Sequence, residues 1–313
     1  MSIHLHMRPD IPAMSWDEFR AQMPTRSIAL DGFIKGPPAI DVTGLYFNFD
    51  HHDGPPRASM HCTAVQVLEA VRTGLMNLLM PTGDEEVHVW MRDNDPDVAL
   101  AVYAIEKHWF VCARVNPAIH RLYGHIEDMD CSSGLCDVPR DMPIVGQSAW
   151  IFQPYWQYRM SGIIDRKDPS AHLGVLRDVI HRVNEFVVGR GNQIPIDDRY
   201  EKLSGGDDWV MIREIGPHAR MKMARRGVKA FVSARERSDG RWVYTLCRES
   251  AYIYWFPIPE IGAFLNQEEE ASNHFGGGDI VYGNAYGNAS ARSPEELSRA
   301  INGYLLEHRL CAP

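Results

Sequence analysis

Residues 45–54 read Leu45-Tyr46-Phe47-Asn48-Phe49-Asp50-His51-His52-Asp53-Gly54, an apolar run that stops abruptly on a carboxylate and two imidazoles. A short aromatic run closed by turn residues predicts a buried strand over Leu45–Phe49. Residues just past a strand splay in different directions, so three ligand-type side chains there can face one small volume. Carboxylate plus imidazole suits Mn, Fe or Zn, and such an ion lowers the pKa of a bound water towards neutrality. A polar loop with surface histidines is the plainer alternative.

The same grammar recurs on either side. Ser27–Leu30 reads as a strand ending on Asp31, with Gly32 next to admit close approach of backbone. Glu86–Met91 reads as a third strand, closed by Arg92-Asp93-Asn94-Asp95-Pro96-Asp97. His61–Thr73 carries Ala64, Val67, Leu68 and Val71 at helical spacing and meets a stop at Gly74; Val98–His108 reads as another helix. Strand, acidic loop, helix predicts an α/β fold with an open, largely parallel sheet, whose ligands gather at the carboxyl ends of its strands. His125-Ile126-Glu127-Asp128-Met129-Asp130 adds a further acidic cluster. Like charges gathered in one place need a cation between them. The ligand-type side chains so gathered are Asp31; Asp50, His51 and His52; Asp93, Asp95 and Asp97; and His125, Glu127, Asp128 and Asp130.

Beyond residue 150 the texture changes. Trp150, Phe152, Tyr155, Trp156 and Tyr158 are aromatic, and Asp168-Pro169 is a helix start ahead of Leu173, Leu176, Ile180, Val183 and Val187. That helix is expected to connect two domains. Strands at Trp209–Ile215, Val228–Arg235 and Arg241–Arg248, with a turn at Ser238-Asp239-Gly240, predict a smaller α+β domain. It is expected to end in a helix over Pro294–His308. The expected division is 1–155 for the metal-binding domain, 156–192 for the connector and 193–313 for the substrate-binding domain. Tyr252–Phe256 reads as a buried edge strand or interdomain cover.

Composition narrows the classes. The chain has 313 residues with 45% hydrophobic and 23% charged, ordinary values for a globular protein rather than a disordered one. Its 32 basic and 41 acidic residues give a net charge of −9, which argues against an extended nucleic-acid partner. The longest apolar run, Val98–Ile105, is far short of the ~20 residues of a membrane span. No secretory leader is visible, so a cytoplasmic protein is expected, with reduced cysteines and no membrane partner. A homodimer stays open.

Phe49-Asp50-His51-His52-Asp53-Gly54, with the helix around Thr63 and Gln66 that follows it, resembles the signature of the DHH phosphoesterase superfamily. The C-terminal half adds Val243–Arg248 and the run His274-Phe275-Gly276-Gly277-Gly278-Asp279, which resembles the substrate-binding domain associated with that superfamily. The resemblance implies divalent metal, manganese ahead of iron or zinc, held by Asp50 and His51 together with Asp31 and an acid from Asp93, Asp95 and Asp97. Of these, Asp93 and Asp97 are taken ahead of Asp95, and Asp128 is a further candidate. It makes Asp50 and His52 the catalytic pair, with His52 beside the scissile phosphate. Arg248, Gly276, Gly277, Gly278 and Asp279 would line the site for an anionic substrate, and Arg57 beside the metals would join them.

Two features depart from the pattern. Asp31 lacks a second acid after it, and Asp279 stands where a histidine is usual. The expected function is a metal-dependent hydrolase cleaving a phosphoester in a small nucleotide or short oligonucleotide. The alternatives are a mono-metal hydrolase of a C–N or C–O bond in a small metabolite, with Asp279 as acid–base, and a non-catalytic nucleotide-binding protein.

Overall fold

The computed structural model describes residues 2–113, 116–268, 275–284 and 288–310, with the side chain of Ala58 outside that description. The chain divides into two units. The first comprises Met1–Pro55, Ser59–Glu127 and Arg140–Pro195; the second comprises Pro56–Ala58, Asp128–Pro139 and Ile196–Pro313.

In the first unit the elements run β1 (Ser2–Met7), α1 (Trp16–Gln22), β2 (Ser27–Leu30), β3 (Ala39–Asp41) and β4 (Tyr46–Phe49). Then come α2 (Thr63–Arg72), α3 (Leu75–Leu79), β5 (Glu86–Met91), α4 (Pro96–Glu106) and α5 (His108–Ala113). Helices α6 (Pro117–Cys131), α7 (Pro143–Ile151), α8 (Gln153–Met160) and α9 (Pro169–Val187) complete it, the last turn of α6 belonging to the second unit. The sheet order is β1-β5-β2-β4-β3, parallel throughout except for β3 against β4. The fold is therefore α/β with a largely parallel N-terminal sheet, as the strand–acid–helix pattern predicts.

Each strand explains its own placement. All four residues of β2 are buried, as a central parallel strand covered on both faces requires. In β5 the alternation is strict: Val87, Val89 and Met91 are fully buried, while His88 and Trp90 are half-buried and Glu86 is exposed. Helix α4 is apolar all round and buried from Asp97 to Ile105, so it can only be the central helix, and α2, α5 and α9 pack against it. Asp95 caps it through Val98 N, and Pro96 occupies its first turn.

The expected connector is not one. Helix α9 packs on α4, α7, α8 and β1 within the first unit. Its buried stripe of Leu176, Val179, Ile180 and Val183 needs a partner surface, which a linker does not have. The run His125–Asp130 does not follow a strand; it lies in α6.

The second unit carries β6 (Tyr200–Gly205), β7 (Val210–Glu214), α10 (Ala219–Arg225), β8 (Ala230–Glu236) and β9 (Trp242–Arg248). It continues with α11 (Ile258–Glu268), β10 (Phe275–Gly277), β11 (Val281–Asn284) and α12 (Pro294–Glu307). Its six strands are ordered β10-β11-β9-β8-β7-β6, and only the β7–β8 pair is parallel. Trp209, Tyr244, Phe256, Ile261, Leu265 and Leu297 form the larger of its cores. Residues 252–256 form turns rather than the expected strand: Tyr252 and Tyr254 are exposed, Ile253 and Phe256 are buried in the core and Trp255 packs against it.

No cysteine of the described residues is in a disulfide. No helix among them is long and apolar enough to cross a membrane.

This unit also carries an acid-sensitive group. Burial pushes His218 down to about 4, against the partial opposition of Asp197. An imidazole depressed in the folded state binds its proton more readily when unfolded. Its stability contribution is therefore complete above pH 6.5 and is lost as pH falls towards 4. The second unit is expected to lose about 2 kcal/mol between pH 7 and pH 5 from this group. Urea unfolding of wild type and His218→Gln at both pH values checks it: the loss should shrink in the variant, and an equal loss in both assigns it elsewhere.

Candidate metal centre

Strand β2 ends on Asp31, whose φ of +46 is a left-handed conformation that aspartate tolerates, and Gly32 follows at +69. Asp31 N–H donates to Phe49 O at 3.0 Å, which brings the end of β2 against the end of β4. The chain leaving β4 enters the loop Asp50-His51-His52 beside it. Adjacent parallel strands thus deliver Asp31 and the two histidines to the same carboxyl edge.

Three donor atoms meet there. Asp31, His51 and His52 each offer one, and all lie within 4.8 Å of one another. His51 Nε2 and His52 Nδ1 are both 3.5 Å from Asp31 Oδ1. Atoms that share an ion at bond lengths near 2.1 Å are spaced by roughly 3–3.5 Å, so the observed spacing fits coordination. One carboxylate and two imidazoles are a donor set that can hold a divalent metal ion. His51 is buried, Asp31 nearly so, and the His52 side chain is 40% exposed, giving the group one open side.

The aspartate of the Asp50-His51-His52 loop faces inward. Asp50 is fully buried, and its Oδ1 accepts from His51 N–H at 2.7 Å and His52 N–H at 2.9 Å. The same oxygen is 2.8 Å from His52 Nδ1, and Oδ2 accepts from Gly32 N–H at 3.0 Å. Asp50 therefore shapes the loop and orients His52. Among the described residues it is not one of the three gathered donors.

Asp97 also has prior engagements. Helix α2 has Cys62 at its N-cap and no side-chain cap of its own. Asp97 supplies the cap from α4: its oxygens accept from Thr63 N–H and Ala64 N–H, both at 2.8 Å. Its Oδ2 lies 3.9 Å from His51 Nε2, adjoining the donors without joining the group.

Asp93 follows β5 and accepts from Asn94 N–H at 2.7 Å. Burial raises its pKa, and the charge of Asp31 raises it further. It is thus electrostatically coupled to Asp31, yet it is not one of the three donors. Asp128 belongs to the second unit and is not in the group either.

Two residues quoted with the motif, but given no role from the sequence, also contribute. Thr63 Oγ1 donates to Asp31 Oδ1 at 3.0 Å, and Gln66 Nε2 donates to the Asp50 carbonyl at 2.9 Å. They stand one turn apart at the start of α2, and their i, i+3 spacing behind the loop was the available signal.

The expected substrate contacts lie in the second unit. Arg57 is buried, with Nη1 3.3 Å from Asp130 O and 3.4 Å from its Oδ2. Arg248 is buried at the end of β9; its Nε donates to Asp279 O at 2.7 Å and its Nη1 to Ile253 O at 3.2 Å. Burial lowers its pKa, against the opposing charges of Asp279 and Glu260. The guanidinium thereby braces the turn between β10 and β11.

Gly276 and Gly277 belong to β10, paired with Gly283 and Tyr282 of β11. Gly278 N–H donates to Val281 O at 2.9 Å. At Gly277 φ is +146, and a Cβ would stand 2.4 Å from Val281 O, so only glycine fits there. The glycine run is thus a tight hairpin rather than an open cradle of N–H groups. His274 lies outside the described residues.

Comparison with protein-family models, with curated proteins and with solved structures finds no match for the chain.

Proposed function

We propose that the chain is a metal-dependent hydrolase that cleaves a phosphoester bond in a small anionic substrate, a nucleotide or short oligonucleotide. The observation that carries it is the convergence of Asp31, His51 and His52 at the carboxyl edge of a parallel sheet, with one side open. The likeness of the Asp50-His51-His52 loop to the DHH phosphoesterases supports the choice of bond. Asp31 and His51 would hold the ion, manganese being the first candidate, with His52 at the open side.

The bound ion would supply Lewis acidity and a water acidic enough to attack at neutral pH. His51, buried between Asp31 and Asp97, keeps a fixed orientation. His52, with Nδ1 held by Asp50, is assigned the protonation of the leaving oxygen through Nε2, or the orientation of the phosphate. Thr63 holds Asp31 in place.

A donor pair of Asp31 and His51, with His52 Nδ1 facing Asp50 and Asp97 committed to α2, favours a single ion over two. That keeps the second reading in view, a mono-metal hydrolase of C–N or C–O bonds. One experiment tests both. Protein purified without chelator is analysed for metal and assayed on model phosphodiesters before and after stripping and reloading with Mn2+. Turnover lost on stripping and regained on reloading is expected. Retained metal with complete inertness towards phosphodiesters would shift the assignment to the second reading; no metal and no turnover would overturn both.

A further inference from the structure

The half-open face of the first sheet carries a second cluster of metal-ligating side chains. Parallel pairing of β1 with β5 sets Ser2 beside Glu86, His4 beside His88 and His6 beside Trp90. Partners in a parallel pair point to the same face. The face opposite Val87, Val89 and Met91 therefore presents His4, His6, His88, Glu86 and Trp90 together.

The three imidazoles lie close. Ring centres are 5.2 Å apart for His4 and His88, 5.3 Å for His6 and His88, and 6.5 Å for His4 and His6. Two imidazoles on one tetrahedral zinc, with Zn–N about 2.0–2.1 Å, hold their ring centres roughly 5 Å apart and their nitrogens roughly 3.3 Å apart. His6 Nε2 and His88 Nδ1 are already 3.0 Å apart. His4 Nε2 is buried without a hydrogen-bond partner and lies 3.7 Å from Glu86 Oε1. Trp90 stacks on His6 at 3.9 Å and fixes that ring. A cleft of about 340 Å³ lined by His6, Arg8, Trp90 and Ser170 reaches the His6 end of the cluster.

We propose that His4, His6 and His88, with Glu86 as the fourth donor, form a second site for a borderline divalent transition metal, for which Zn2+ is the probe. Binding replaces the single proton shared between His6 and His88. That proton moves to the far nitrogen of its own ring, so each imidazole coordinates in its neutral form. No three of these side chains bring donor atoms within 4.8 Å of one another in this structure, so coordination requires the His4 ring to turn about Cβ–Cγ and the exposed Glu86 side chain to move towards the His6–His88 pair. Burial, and then the charges of His88, His4 and Arg8, depress the pKa of His6; burial, and then His4, depress that of His88 against the opposing charge of Glu86, which favours the neutral ligand form at pH 7. The site does not rest on the function proposed for Asp31, His51 and His52.

Full-length protein is stripped with a chelator, titrated with Zn2+ by calorimetry and assayed for retained metal after gel filtration. The variants are His88→Gln, His6→Gln and Asp31→Asn. One Zn2+ equivalent should weaken on the order of 100-fold in both histidine variants and persist in Asp31→Asn. Unchanged stoichiometry and affinity in folded His88→Gln and His6→Gln would overturn the site. Should either variant fail to fold, zinc X-ray absorption on Asp31→Asn loaded with one equivalent decides. Scattering from three imidazole rings supports the site, and a shell with fewer than three overturns it.

Discussion

Asp50→Ala is expected to destabilise the first unit by about 3–5 kcal/mol, the largest stability loss of any single substitution in the loop. The carboxylate is fully buried and accepts from three backbone N–H groups, those of Gly32, His51 and His52, besides facing the His52 ring. Truncation strands all three donors in a protein interior, at about 1–3 kcal/mol each where water cannot replace the partner. Partial entry of solvent beside the exposed His52 lowers the sum. Asp50→Asn keeps one acceptor oxygen and is expected to cost about half as much. Urea unfolding followed by circular dichroism measures both. A loss below 1 kcal/mol for Asp50→Ala would mean that the carboxylate does not organise the loop.

The largest expected loss of activity belongs to Asp31→Asn. Asparagine tolerates the left-handed backbone at this position, and its carbonyl oxygen can still accept from Thr63 Oγ1. The substitution therefore removes one charge from the donor group and leaves the turn intact. Metal affinity should fall on the order of 100-fold, and turnover of a model phosphodiester by 10³-fold or more, estimated roughly from outer-shell and Lewis-acid effects. Thr63→Val removes only the supporting hydroxyl and should cost about tenfold in affinity. Metal retention after dialysis, kcat and an unfolding curve separate the two effects. Loss of stability together with activity in Asp31→Asn would identify Asp31 as a structural residue.

The two substitutions divide a loop that looks uniform in one dimension. Asp50, His51 and His52 are consecutive and all ligand-type, so nothing local says which faces the ion. Position decides. Asp50 sits where the N–H groups of residues 32, 51 and 52 converge, while the histidines reach outward to Asp31. Asp97 makes the same point from another element, because the uncapped start of α2 claims both its oxygens. Spacing along the chain could not register that claim, since Thr63 and Asp97 are 34 residues apart. The three-histidine face was equally hidden. His4-Leu5-His6 shows only a two-residue period, and its partner His88 is some 80 residues away across the β1–β5 pair.

What the sequence determined by itself is the class of fold and the address of the candidate site. Short apolar runs that end on acids, followed by amphipathic helices, can bury their backbone polar groups only as parallel strands with crossover helices. That arrangement carries the strand ends, and so Asp31, Asp50, His51, Asp93 and Asp97, to one edge. Tertiary structure decided which of those side chains remain for an ion, and turned Arg248 and the glycine run into a braced hairpin. It also placed α9 within the first unit rather than between two. The physical reason is common to all of these. Apolar periodicity is local and survives in one dimension. A carboxylate or guanidinium is committed by whichever N–H or carbonyl the fold brings nearest, and those partners are set by pairing across the whole chain.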